Sequence, residues 1–363
     1  YNIGIDTMLF IVTGPSPSSC KDTGVYYIFV GSTPSVQSGT FGNGDRCADE
    51  IIKIPLSGTS ANAPGTIYIV SYNDGSPSDT FSHPPPDTVY HTFNTSSCGS
   101  TFTFGQSYNN AYGAFVTATN PCNSSSSGGG PYYISTKPVA RILINPNDTI
   151  CQNTSVLFSN ISSGGIVATS SGCDSTKYVW SITPNTGWNL TGSSSLGIDN
   201  NSFIYGFWTS GSNTLNINFT NPGTYQVKLK ILTPAGTSCN YHDTTVFVCV
   251  NPTPAASFTI TPDSVGCAPL IRTANGSTNI ATCGANTFKW TVSYVSIAGC
   301  LPSNSDYSFI NGTTSTSTNP QFTLNNPGTY TLSLQTTAPL AACSSQVVTH
   351  SVTCLLYTSP SPR

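Results

Sequence analysis

The chain has 363 residues and a net charge of −3, with only 7% of residues charged against 37% apolar and 11% aromatic. It is long enough for two or three domains with their own cores, and too apolar for a disordered linker. So sparse a charge excludes a nucleic-acid surface, which needs clustered Lys and Arg, and no run of 18 apolar residues is present to span a membrane as a helix. The 32 Gly and 26 Pro cut the sequence into short pieces, and the helix-favouring Glu50 and Met8 are alone of their types. The predicted class is all-β. Thirteen cysteines include no C-x-x-C pair, and the nearest two, Cys239 and Cys249, lie ten apart. That spacing argues against a thiolate zinc site and for disulfides made in an oxidising compartment, so the expected location is extracellular or at the cell surface. The chain opens at Tyr1 without a charged and apolar leader, and the expectation is that an export signal has been removed or was never captured.

Residues 1–137 form the predicted first domain, with 1–50 its least regular part. It holds the acid-rich stretch of the chain: Asp45, Asp49, Glu50, Asp74 and Asp79. Loop carboxylates suit calcium, and Asp45, Asp49, Glu50 and Asp74 are the candidate ligands; the plainer reading is that Asp74 caps its own Asp-Gly turn. No other cofactor is expected. His83, His91, His242 and His350 are scattered, with no i, i+4 pair and no Gly-x-Ser-x-Gly elbow, so structural hydrogen bonds are their expected role and no enzyme is expected.

Residues 138–250 and 251–354 read as two copies of one domain. "PVARILINPNDTIC" (138–151) matches "PAASFTITPDSVGC" (254–267), and "CDSTKYVW" (173–180) matches "CGANTFKW" (283–290). "NPGTY" recurs at 221–225 and 326–330, followed each time by two further cysteines, Cys239 with Cys249 and Cys343 with Cys354. Landmarks held in one order over about a hundred residues mark an internal repeat. "YVWSI" and "FKWTV" alternate as half-buried strands do. In "TYQVKLKIL", Tyr225, Val227, Leu229 and Ile231 share one face. Asn-Pro-Gly ahead of it is turn chemistry. Seven or so short strands, an early core Trp and a late strand opened by Tyr predict tandem immunoglobulin-like β-sandwiches. Residues 355–363, "LLYTSPSPR", break the style and look like vector-derived sequence. The linkers are short, predicting a rod with limited hinge motion near 137–138 and 252–254.

The second copy is the richer in aromatics. If "FIYGFW" (203–208) is a strand, Phe203, Tyr205 and Phe207 share one face and Trp208 takes the other. Core packing is the plain reading. The sharper one is a carbohydrate or partner surface built from Trp188, Tyr205 and Trp208. The ten Asn-x-Ser/Thr sequons are no more than the Asn, Ser and Thr content produces by chance.

On these residues the chain resembles the polycystic-kidney-disease (PKD) domain family, and more closely its divergent relatives in large secreted and surface proteins of bacteria. The Pro254, Ala256, Phe258 entry, the Trp strand and "NPGTYTLSL" carry the resemblance in the last copy. In the first domain "YIVSYNDGS" (68–76), "HTF" (91–93) and "YGAFVTATNPC" (112–122) carry it. After Trp180 and Trp290 the family's Asp-Gly turn is missing. The resemblance implies a non-enzymatic array.

Sandwich topology then predicts the disulfides. The second strand begins, and the last strand ends, at one pole, which pairs Cys151 with Cys249 and Cys267 with Cys354. The loops at the opposite pole pair Cys173 with Cys239 and Cys283 with Cys343, leaving Cys300 odd. Cys20, Cys47, Cys98 and Cys122 allow three connectivities, with Cys98–Cys122 favoured. The expected function is an extracellular stalk of tandem domains for surface display or adhesion, with other extracellular proteins, carbohydrate or further copies as partners. Two alternatives stand beside it: a carbohydrate-binding accessory region of a secreted polysaccharide-degrading enzyme, and a subunit of an extracellular fibre.

Overall fold

The computed structural model describes residues 4–17, 19–39, 45–234, 239–262, 264–298, 305–339 and 343–356. Among them no α-helix occurs; strands carry the structure, with one short 3₁₀ turn at Tyr205–Phe207.

Two modules have the same strand order. In the second, one sheet runs Ile142–Asn145, Thr154–Asn160, Thr214–Phe219, Trp188–Thr191, and the other runs Thr149–Cys151, Tyr241–Asn251, Gly223–Leu232, Lys177–Thr183. In the third, Ser257–Thr261, Leu270–Ser277, Gln321–Leu324 and Tyr307–Ile310 face Val265–Cys267, Val348–Leu355, Gly328–Thr337 and Thr287–Ser296. This is the two-sheet arrangement of immunoglobulin-like sandwiches. The first module repeats it with Asp45–Cys47, Asn123–Ser135, Tyr112–Asn120, Ile67–Tyr72 and Asp79–Ser82 against Gln37–Ser38, Ile51–Ser57 and Thr88–Thr92. The class is all-β, a tandem array of immunoglobulin-like sandwiches.

The alternation read from the sequence is the alternation of burial. Tyr225, Val227, Leu229 and Ile231 point into the second core, and Tyr330, Leu332 and Leu334 into the third. Trp180 and Trp290 are buried in equivalent places, and each indole Nε1 donates to a backbone carbonyl, of Ser212 at 2.9 Å and of Ser317 at 2.8 Å. Each sandwich therefore keys its largest side chain with a hydrogen bond.

The repeated Asn-Pro-Gly-Thr-Tyr is a corner tied by its tyrosine. The Tyr225 hydroxyl lies 2.9 Å from the Asn221 carbonyl and 3.0 Å from that of Gly187. The Tyr330 hydroxyl donates to Asp306 at 2.8 Å and meets Asn326 through both its backbone groups, the N–H donating to it at 3.0 Å. Gly223 and Gly328 open these strands at φ +154° and +155°. At Gly328 a Cβ would come within 2.4 Å of the Val295 carbonyl, so a side chain there has no room. The chain turns sharply, and Tyr fastens the turn to the loop across the sandwich.

Residues ahead of the first module behave differently. Gly4–Thr13 and Lys21–Val30 pair with each other over ten residues and, among the described residues, with no other strand. Phe10 is 59% exposed and Tyr27 75%, with Ile5, Met8, Leu9, Ile11 and Tyr26 also exposed. The ribbon abuts the first module near the turn at 120–123: Asn120 Nδ2 donates to the Ser32 carbonyl at 2.9 Å, and Cys122 Sγ lies 3.4 Å from the Gly31 carbonyl.

Candidate functional sites: the acidic turn, the aromatic loop and the module junctions

The acidic turn closes on itself. Asp74 Oδ1 accepts from the Ser76 N–H at 3.0 Å, and Oδ2 accepts from the Ser76 hydroxyl at 2.6 Å and faces His91 Nε2 at 3.0 Å. His91 in turn stacks on Tyr72, ring centroids 3.6 Å apart. Burial acts to raise the Asp74 carboxyl, but the bonds from Ser76 and His91 outweigh it and hold the group below the usual carboxylate range. Asp79 is engaged by the Tyr72 hydroxyl at 2.6 Å. Among the described residues no three His, Cys, Asp or Glu side chains gather as metal ligands. Asp49 sits in a turn at φ +68° beside Glu50; the side chain of Asp45 lies outside the described residues.

The other histidines have comparable partners. His83 Nδ1 lies 3.1 Å from the Tyr68 hydroxyl, His242 Nδ1 accepts from the Ala140 N–H at 3.0 Å, and His350 meets the Phe258 ring at 4.5 Å.

The aromatic loop departs from its expected form. "FIYGFW" is a 3₁₀ turn and not a strand, and the two Asn ahead of it, Asn200 and Asn201, take left-handed conformations at φ +50° and +52°. Trp208 is 3% exposed, its Nε1 donating to the Ser202 carbonyl at 2.6 Å, and it packs with Val179 and Leu232 against Tyr205 and Tyr241. Tyr205 donates to the Ser175 carbonyl at 2.7 Å, under Lys177, whose Nζ stands 4.2 Å from the ring centroid. Trp188 packs against the main core of the module instead. The three residues thus make no shared flat surface. In their place, Phe203 meets Tyr241 edge-on at 5.1 Å and lines a shallow cavity of about 200 Å³ with Trp208 and the Asp199–Lys230 ion pair (2.7 Å). Tyr241 was not legible from the loop because it comes from the last strand, and Asp199, just ahead of the loop, was not because its partner Lys230 lies on another strand.

The cysteines are where the structure and the sequence reading part most clearly. Four disulfides occur among the described residues: Cys47–Cys239, Cys98–Cys173, Cys151–Cys343 and Cys249–Cys283, with Cα separations of 5.9, 5.8, 5.7 and 6.4 Å. Every one joins neighbouring modules. The expected Cys151–Cys249, Cys173–Cys239, Cys267–Cys354, Cys283–Cys343 and Cys98–Cys122 bridges are absent, and Cys122, Cys267 and Cys354 are free thiols, as is Cys20. Cys300 lies outside the described residues.

The reason is the orientation of the strands. Cys151 does not precede the second strand directly; it ends a short strand of its own, which runs parallel to the last strand of the same sheet, in register with Asn251. Cys249 lies on that last strand between the inward Val248 and Val250 and beside the exposed Phe247. With a side-chain period of two it must point away from the core. Both sulfurs therefore face outward from one sheet, toward the next module. Cys173, in the small hairpin of Val167–Thr169 and Gly172–Asp174, and Cys239, in the loop ahead of the last strand, turn the other way, to the first module.

The first junction is also packed and hydrogen-bonded. Ala168 joins Phe102, Ala111 and Tyr133 of the first module in one buried cluster. The Ala168 N–H donates to Ser135 Oγ at 3.2 Å, and Asn110 Nδ2 donates to the Thr169 carbonyl at 3.3 Å. At the second junction the Cys283 N–H donates to Asn251 Oδ1 at 3.0 Å.

These features define a tandem immunoglobulin-like protein whose modules are bolted pairwise by disulfides. No protein-family profile and no curated protein sequence matches the chain. Among solved structures, a three-domain immunoglobulin fragment of titin (I67–I69) aligns over 91% of this chain and 98% of its own, at 11% identity and TM-score 0.34. The mouse nectin-like molecule 4 ectodomain aligns over 88% and 98% at 12% identity and TM-score 0.31. The Escherichia coli adhesin FdeC aligns over 93% and 98% at 10% identity and TM-score 0.33.

Proposed function

We propose that the chain is a non-enzymatic extracellular stalk, a PKD-like array that holds modules in fixed succession for surface display or adhesion. The observation that supports this most is the pair of disulfides across each junction. Relative motion is the default for adjoining domains without a large interface; two covalent ties at separate points restrict it. Such bonds persist in oxidising surroundings, which supports an extracellular or surface location. Small-angle scattering tests the reading: reductant should leave the cores folded and broaden the distribution of module orientations. A scattering curve unchanged after full reduction would contradict it.

A second reading, a carbohydrate-binding accessory region, is favoured by the shallow cavity edged by Phe203, Trp208 and Tyr241. Aromatic rings beside a charged pair suit a sugar's apolar face and hydroxyls. Reproducible glycan-array binding that falls at least tenfold in Phe203→Ala would favour it over a purely mechanical stalk. Calcium held near Asp45, Asp49, Glu50 and Asp74 is a further proposal that calcium titration by calorimetry tests directly.

A further inference from the structure

The three modules share a feature that only two of them use. In each, the short strand running parallel to the last strand ends in cysteine: Cys47, Cys151 and Cys267. The register is the same each time. Cys47 stands opposite Ser135, Cys151 opposite Asn251 and Cys267 opposite Leu355, in parallel ladders of three residues. The first two are bonded, each to the loop between the last two strands of the following module, at Cys239 and Cys343. Both bonds span 192 residues. The third, Cys267, is an exposed free thiol.

We propose that Cys267 is the open half of a third junction, and that its partner is a further copy of this domain. The partner cysteine would lie between that copy's last two strands, where Cys239 and Cys343 lie. Two equivalent residues of the same structure already make this bond, so the pole around Cys267 is the counterpart of two poles that form junctions. Arg272 fixes the pole: it is 5% exposed, and its guanidinium donates to the carbonyls of Val265 and Ile271 at 2.8 Å each, holding the strand that ends in Cys267.

The neighbouring Cys354 is not part of the junction. Cys249 of the second module stands opposite Thr224, whereas Cys354 stands opposite Gly328, the counterpart of Gly223. Cys354 therefore occupies the place of Val250, one residue further along, and a one-residue slip turns a side chain to the other face. It is fully buried in the third core, where burial pushes its thiol up to about 11. A third junction would thus have one bond from this side where the second has two.

The chemistry is thiol–disulfide exchange, with a low-molecular-weight disulfide such as glutathione disulfide as oxidant. The Cys267 thiolate attacks one sulfur of the oxidant, forming a mixed disulfide and releasing one glutathione thiolate. The incoming copy's thiolate then attacks the Cys267 sulfur and displaces the second glutathione. Two protein thiols are oxidised and one oxidant disulfide is reduced to two thiols. The inference rests on this strand-end geometry and not on the adhesive reading, so a glycan or adhesion result leaves it standing.

The test is the full chain extended after residue 356 by a second copy of residues 252–356, refolded with glutathione and glutathione disulfide and mapped without reduction. The expected result is a peptide joining Cys267 to Cys343 of the appended copy. That peptide should disappear in Cys267→Ser, with the four existing bridges kept, and persist in Cys354→Ser. Finding Cys343 of the appended copy alkylated, or bonded within its own copy, would overturn the proposal. A second arm uses the unextended chain: native Cys267 should take up glutathione at least tenfold faster than buried Cys354. Recovery of Cys267 already bonded within the chain, to Cys300 for example, would equally overturn it.

Discussion

Asp74 shows how one side chain can be read correctly without its neighbours being visible. The Asp-Gly turn said that the carboxylate would cap its own backbone, and it does; the His91 contact from a strand seventeen residues on completes the site. Because the folded carboxyl is held below its ordinary value, its contribution is present in full above the unfolded pKa of about 4 and is lost as pH falls through the folded value. Asp74→Ala should therefore lower the first module's stability by about 1–3 kcal/mol near neutrality and flatten its acid sensitivity, as read by urea melts at pH 7 and pH 3. An equal loss at both pH values would show that packing, and not the charge, sets the effect. The tyrosine corner is a smaller fastening. Tyr330→Phe removes the hydroxyl that bridges Asp306 and Asn326 and should cost about 1 kcal/mol, with a matching loss for Tyr225→Phe in the second module. Trp290→Ala is the large change at this scale, about 3–5 kcal/mol, and calorimetry of the reduced protein should show the third module's transition fall while the first module's stays.

At the level of elements, the strands and their buried faces were legible because period-two alternation is local: a strand such as Gly223–Leu232 states its own inside and outside. The repeat was legible for the same reason. What was not legible was anything set by neighbours distant in sequence. "FIYGFW" is apolar and aromatic enough for a strand, yet it follows a pair of left-handed Asn and forms a 3₁₀ corner. The disulfides were misassigned because topology fixes the pole at which a cysteine stands but not the face on which it points. Cys249 and Cys151 share a pole and a sheet and both look outward. The N-terminal ribbon is another case. Its two strands satisfy each other's backbones, but an isolated hairpin leaves its apolar side chains in water. Deleting residues 1–31 should leave the three sandwiches' melting behaviour intact and sharply reduce binding of a hydrophobic dye. Undiminished dye binding would mean that another surface carries it.

For the molecule as a whole, the junctions decide the behaviour. The bridges interlock: Cys151 lies inside the span closed by Cys47 and Cys239, while its partner Cys343 lies outside it. Unfolding one module thus cannot release the chain without straining its neighbour's ties. Closing a span of 192 residues is worth about 5 kcal/mol as an upper guide in the chain-entropy account, and overlapping spans share rather than add that figure. Under reducing conditions the modules should melt at separate, lower temperatures; under oxidising ones their transitions should draw together. The most direct measurement of the central claim is peptide mapping of the intact, unreduced protein after alkylation at low pH. The account predicts Cys47–Cys239, Cys98–Cys173, Cys151–Cys343 and Cys249–Cys283; recovery of Cys151–Cys249 or Cys173–Cys239, bridges closed within the second module, would contradict it.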